Sequence, residues 1–244
     1  MRRLENKTAV ITGGGSGIGL GAAKRFIEEG AFVYIFGRRQ EVLDAALAEL
    51  GPSARAVRGS VTDMSDLDRL YDSVKAERGG LDVVFANAGT GLFAPLGQIP
   101  QEHYHQIFDV NVKGVIFTVQ KALPLMKEGG SIILTGSSTG VMGTPEFSIY
   151  SASKAAIRNL ARTWALDLKG TGIRVNVLSP GPTLTELAME VVGADALDAL
   201  GRTTPIGRMG QPSETGAVAA FLASSDSSFM TGGEVFADGG LAQV

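Results

Sequence analysis

The amino-acid sequence predicts an α/β fold: a doubly wound parallel sheet of about seven strands with helices on both faces. Three observations predict it. Short β-rich runs alternate with amphipathic helical runs along the whole chain. The β-rich runs are continuously apolar, which marks strands covered on both sides. A glycine-rich stretch separates the first strand from the first helix. In such sheets the crossovers are right-handed and ligands bind beyond the carboxyl ends of the strands.

Residues 8–12 read as a buried strand. Residues 18–29 follow as a helix with Ile18, Ala22, Phe26 and Ile27 on one face and Gly30 as its stop. Residues 31–36 form the second strand, and helix 40–50 ends at Gly51-Pro52. A weak third strand covers 54–58, and helix 65–78 carries Leu67, Leu70, Tyr71 and Val74 at helical spacing. Strand 82–86 comes next, then a long helix over 101–127, bent near Asn111–Gly114. Strand 131–135, helix 147–168 and strand 173–178 follow. Residues 181–211 read as irregular, and helix 213–223 and strand 234–236 close the chain. There is no linker and no repeat, so residues 1–244 are expected to form one domain, with 184–211 as a substrate loop or lid.

Composition narrows the chemistry. Of 244 residues 44% are apolar and 19% charged, enough for a sizeable core. The net charge of −3 argues against a nucleic-acid or anionic-membrane partner. The count of 33 glycines is nearly twice the usual share and needs a reason. With no cysteine, thiol nucleophiles, disulfides and cysteine-ligated metals are excluded. The only histidines, His103 and His105, are two apart and face different ways on a helix, so they build no i, i+4 metal pair. No metal site is expected. The first residues lack the apolar segment of a signal peptide, and no apolar run approaches a membrane span. A cytoplasmic enzyme is the expectation.

The strand ends carry the motifs. After the first strand stands Thr12-Gly13-Gly14-Gly15-Ser16-Gly17-Ile18-Gly19. Glycines let a pyrophosphate approach the backbone, and the next helix offers free N–H groups and a positive dipole end. After the second strand stands Gly37-Arg38-Arg39. A carboxylate there would bond a ribose 2′-hydroxyl, whereas guanidinium groups bond a 2′-phosphate. NADP(H) is therefore favoured over NAD(H). Asn87-Ala88-Gly89 follows the fourth strand and leaves room for a flat ring. Gly136-Ser137-Ser138-Thr139-Gly140 follows the fifth. It has the form of a hydrolase elbow, but no helix starts behind it and both histidines precede it. Tyr150 and Lys154 are four apart on one helix face, where an ammonium beside a phenol would lower its pKa. Two prolines, Pro180 and Pro182, stiffen the exit of the sixth strand.

Together these residues resemble the short-chain dehydrogenase/reductase family, whose fold is Rossmann-like, over essentially the whole chain. The matching pieces are Thr12 to Gly19, Asn87-Ala88-Gly89, Asn111, Ser137, Tyr150-Ser151-Ala152-Ser153-Lys154, Pro180-Gly181 and Asp238-Gly239-Gly240. The resemblance implies that Tyr150 is the general acid in ketone reduction and the base in alcohol oxidation. Lys154 would hold the nicotinamide ribose and lower the Tyr150 pKa, Ser137 would bond the substrate oxygen, and Asn111 would anchor a water relay. Gly13, Gly15, Ser16, Gly17, Ile18 and Gly19 would hold the pyrophosphate, and Arg38 and Arg39 the adenosine phosphate. Ser60 and Val61 would meet the adenine, and Asn87, Ala88 and Gly89 the ring system. Pro180, Gly181, Thr183 and Thr185 would meet the nicotinamide. Ser60 stands where many members have aspartate, and Ser16 where many NADP-dependent members have a basic residue. The resemblance also implies a homotetramer.

Leu92, Phe93, Val141, Met142, Leu184, Leu187 and Met189 make the substrate side apolar, which favours a neutral secondary alcohol and its ketone. A 3-oxoacyl thioester reductase and a sugar or steroid dehydrogenase are the alternatives within the class. A cofactor-binding sensor without turnover is the alternative outside it.

Overall fold

In the computed structural model, which describes residues 2–244, seven parallel strands form one sheet in the order β3-β2-β1-β4-β5-β6-β7. They are β1 (Thr8–Thr12), β2 (Phe32–Gly37), β3 (Ala54–Arg58), β4 (Leu81–Ala86), β5 (Met126–Thr135), β6 (Arg174–Pro180) and β7 (Glu234–Ala237). The helices are α1 (Gly17–Glu28), α2 (Gln40–Leu50), α3 (Met64–Arg78), α4 (Gln101–Phe108), α5 (Gly114–Ala122), α6 (Ser148–Asp167), α7 (Glu186–Val192), α8 (Ala194–Arg202) and α9 (Pro212–Ala223).

Successive strand residues point to opposite sides, which divides the core in two. Ile11, Ile35, Val83 and Phe85 meet Ala22 and Phe26 of α1, Leu43 of α2 and Ala219 of α9. Val10, Tyr34, Val84 and Ile132 meet Leu67 and Leu70 of α3, Val115 of α5 and Ile157 of α6. Both sides of the sheet are thus apolar, as the continuous runs require. Strand order reverses between β1 and β4, which opens a crevice beyond their carboxyl ends.

Two expectations need correction. The long helix ends at Ala122, and β5 begins at Met126, inside the span read as helix. Met126 pairs with Leu81, the register then shifts, and pairing resumes at Ser131 with Val83. The strand's first residues, Lys127 to Gly129, are exposed and so lack the apolar run by which a buried strand is recognised. The bend near Asn111 is real: a wider helical turn at Asp109–Lys113 separates α4 from α5. The irregular region holds two short helices, α7 and α8. Thr185 caps α7 by accepting the Ala188 N–H at 3.1 Å, and Gly193 at φ 84° breaks the chain before α8. Leu184, Leu187 and Met189 are exposed, so their spacing records no core-facing stripe.

Candidate active site

The crevice is closed by a latch between β1 and β4. The Thr12 hydroxyl accepts the N–H groups of Asn87 and Ala88 at 3.0 and 3.1 Å. In return the Asn87 amide donates to the carbonyls of Thr12 and Gly13 at 3.0 and 3.3 Å. Gly13 turns at φ 65°, a region that L side chains rarely occupy. A Cβ on Gly19 would lie 2.1 Å from the Gly13 carbonyl oxygen, so α1 can begin this close only with glycine there. Ser16 stands at the helix N-cap without a side-chain capping bond, which leaves the first-turn amides of Gly17, Ile18 and Gly19 uncapped by it. Gly15 adjoins Val42 of α2, and Thr185 lies on the far rim, its methyl 3.1 Å from a Cβ built on Gly17. A tight backbone cradle at an uncapped helix start fits a pyrophosphate.

Arg38 and Arg39 follow β2 and are exposed beside this cradle. The Arg38 carbonyl accepts from Arg58 Nε at 3.1 Å, which brings a third guanidinium to this end. Arg39 lies 3.6 Å from Glu186 at the start of α7. Ser60 gives its N–H to Asp66 at 2.8 Å, and its hydroxyl pairs with Thr62 at 2.8 Å. Val61 is buried against Gly114.

The polar centre lies beyond β5. Lys154 is buried and donates to the Thr135 carbonyl at 2.9 Å. Burial lowers its pKa to about 8. Its Nζ lies 5.4 Å from the centre of the Tyr150 ring. Burial raises the Tyr150 pKa, and the neighbouring Ser137 hydroxyl opposes that rise. This corrects the expected net lowering: burial outweighs the help of Lys154, whose ammonium lies over the ring and donates to Thr135. The phenol thus keeps its proton at neutral pH.

Asn111 is fully buried in the wide turn between α4 and α5. Its side chain exchanges two 2.9 Å bonds with the Thr90 backbone and donates to Ser153 at 3.1 Å. Ser153 in turn donates to the Tyr150 carbonyl at 2.6 Å. Asn111 therefore ties the loop after β4 to the turn that carries Tyr150. Ser137 accepts from Thr139 at 3.1 Å and caps the turn at Ser138–Gly140. After β6, Gly181 continues the strand's bonding by donating to Ala237 at 3.0 Å, and Gly210 donates to Pro182 at 2.8 Å. The hydroxyls of Thr183 and Thr185 both serve local main chain, Thr183 by donating to Gly181 at 3.0 Å.

The strand-end residues expected to act together thus gather along one rim of the sheet. Sequence reasoning gave no role to Thr12, Thr90, Thr135, Ser153 or Phe147. Thr12 and Ser153 stand inside the motifs and were open to notice; Thr90 and Thr135 act through backbone atoms that side-chain type does not report.

Comparison with known proteins gives the family of the chain as a whole. A family model described as enoyl-(acyl carrier protein) reductase matches residues 13–242. The chain is 64% identical over 246 residues to oxidoreductase asL5 of Sarocladium schorii, covering 100% of this chain and 99% of that one. It is 35% identical over 245 residues to the NADP-dependent (R)-specific alcohol dehydrogenase of Lentilactobacillus kefiri, covering 98% and 97%. Among solved structures, a chain from Brucella melitensis described as short-chain dehydrogenase/reductase SDR:glucose/ribitol dehydrogenase superposes with a TM-score of 0.94 at 30% identity, covering 99% of each.

Proposed function

Because the chain belongs to the short-chain dehydrogenase/reductase family of oxidoreductases, we propose that it interconverts a neutral secondary alcohol and its ketone with NADP(H). One observation carries the reading: a phenol that keeps its proton, set beside the Ser137 hydroxyl, with a buried ammonium over its ring. That is a proton donor set beside a second donor for one substrate oxygen.

The nicotinamide supplies the hydride when bound. The chain's residues do the rest. Ser137 bonds the ketone oxygen and orients the carbonyl. Tyr150 gives its proton to that oxygen as negative charge develops there. Lys154 then stabilises the phenolate, and Asn111 holds the Tyr150 turn in place while the proton is restored from solvent. Run backwards, Tyr150 accepts the alcohol proton. The residues of the cradle, Gly13 to Gly19, would hold the pyrophosphate, and Asn87 to Gly89 with Pro180 to Thr185 the nicotinamide end. Ser60 and Val61 would face the adenine.

Arg38 and Arg39 support NADP(H) over NAD(H), since no carboxylate ends β2 and both guanidinium groups are exposed. The exposed apolar side chains of Phe93, Val141, Leu184, Leu187 and Met189 support an uncharged, largely apolar substrate. The test follows reduced-nicotinamide absorbance with NADPH or NADH and ketones from small aliphatic to bulky aromatic, plus one 3-oxoacyl thioester. Turnover of a bulky ketone with NADPH is expected. Far faster reduction of the thioester would overturn the substrate assignment. Silence with both cofactors, despite measurable binding, would favour a specialised substrate or a sensor instead.

A further inference from the structure

Phe147 precedes α6 and stands three residues before Tyr150, one helical turn away. The two rings stack, with centroids 4.3 Å apart and planes 23° apart. The other face of Phe147 is covered by Phe93, at 4.2 Å and 20°. Phe147 is thus sandwiched, and the column Phe93–Phe147–Tyr150 joins the loop after β4, the loop after β5 and the start of α6.

The backbone fixes this column independently. Ala94 donates to the Glu146 carbonyl at 2.8 Å, which pins the two loops together beside the rings. Glu146 sits at φ 60°, a left-handed conformation that a non-glycine residue keeps when its surroundings impose it. Gly91 runs along the ring edges: a Cβ there would lie 3.0 Å from Phe147 Cζ and 3.2 Å from Tyr150 Cδ2. Lys154 Nζ lies 5.4 Å from the Tyr150 centroid, and the Ser137 hydroxyl stands near the phenol's hydroxyl end.

Ser137, beside the hydroxyl, restrains at most one point of the phenol. The plane of the ring, and with it the line along which the proton leaves, needs a second restraint. A small misplacement of a reacting atom costs rate even when binding is intact. We propose that Phe147 is the positioning residue of the proton-transfer step: its ring holds Tyr150 in the orientation that presents the hydroxyl to the substrate oxygen, and Phe93 acts through it. The inference rests on the reading of Tyr150 as the acid–base group.

The variants F147L, F147H and F93L test it, with Y150F as reference, in ketone reduction by NADPH at pH 8. Leucine fills comparable volume without a flat face. A neutral imidazole keeps a flat ring and, unlike tyrosine, adds nothing toward Gly91. F147L should lower kcat about 3- to 10-fold, the range set by loss of one aromatic pair. The Kd for NADPH, read by fluorescence titration, and the KM for ketone should stay within about twofold. F147H should recover part of the lost kcat. F93L, at a ring 42% exposed, should lower kcat about twofold.

Wild-type kcat in F147L overturns the proposal, whatever happens to its melting temperature. So does F147H falling as low as F147L, or a raised ketone KM at unchanged kcat, which would make Phe147 a substrate contact. If F147L does not fold, unchanged kcat in F93L overturns it instead. Y150F separates the two readings. Retained turnover there sinks the acid–base assignment, whereas a dead Y150F beside a fully active F147L sinks only the positioning role.

Discussion

Replacing Lys154 with methionine should remove a penalty that the native chain carries below pH 8. Lys154 is 4% exposed, and burial lowers its pKa from the ordinary 10.5 to about 8. A lowered lysine gives up its proton more readily in the folded chain than in the unfolded one. Between about pH 8 and 10.5 the unfolded chain therefore binds more protons, and stability rises with pH across that window. At 1.36 kcal/mol per pKa unit the full difference is about 3 kcal/mol. Lys154→Met keeps the length of the stem and removes the charge, so its stability lacks this contribution. The assay is urea unfolding of both proteins from pH 6 to pH 10. The wild-type stability minus that of the variant should be flat up to about pH 7.5 and then rise, with most of the 3 kcal/mol present by pH 10. Taking the difference cancels the titration of every other group. Parallel stability curves would refute the reasoning, because they would mean an ammonium with an unshifted pKa. The variant should also lose turnover at every pH, so the charge is kept at a cost to the fold.

Tyr150→Phe should retain NADPH affinity and lose turnover by about 10²- to 10⁴-fold, measured by titration and by initial rates. Arg38→Ala with Arg39→Ala should raise the KM for NADPH by about tenfold or more and leave that for NADH nearly unchanged; an equal effect on both would mean that the arginines do not read the 2′-phosphate. Gly19→Ala puts a Cβ 2.1 Å from the Gly13 oxygen and 2.8 Å from Asn87 Nδ2. It should destabilise by about 1–3 kcal/mol in thermal unfolding and weaken binding of both cofactors alike. Light scattering at micromolar concentration should give a tetramer, and a monomer would exclude that assembly.

The parallel architecture was legible because burial on both faces writes itself as unbroken apolar runs. Residues 8–12, 40–50 and 54–58 read as elements with the bounds that the structure has. The start of β5 was not legible, since its exposed, charged residues carry no such run. Nor were α7 and α8, short helices: Leu187 and Met189 of α7 face outward, and α8 buries Leu197 within a single short turn pattern. The site was legible where side-chain chemistry is unusual for its place, as with Tyr150 above Lys154 or Arg38 and Arg39 at a strand end. The net effect of Lys154 on Tyr150 was misread: spacing brings Lys154 to the correct face of α6, but only three-dimensional contacts show that Thr135 holds its ammonium and that burial raises the Tyr150 pKa despite the nearby cation. The stack at Phe147 joins loops more than fifty residues apart, a distance over which local periodicity is silent.

The latch between Thr12 and Asn87 also bears on inheritance. On the proposed reading, the groups that meet the adenosine half of the cofactor fall between Gly13 and Val61, and those that meet the reacting half between Asn87 and Thr185. The stretch between them is α3 and β4, which supplies framework alone. A genetic crossover within α3 would join one parent's choice of electron carrier to another's choice of substrate. The seam of such a chimaera is the β1–β4 pairing, Ala9 to Val83 through Thr12 to Ala86, the four bonds at its carboxyl end, and the close packing of α1 on α9 at Gly21 and Gly216. Parents alike along both the strand pairing and the α1–α9 interface could exchange halves, so that electron source and substrate range diverge separately.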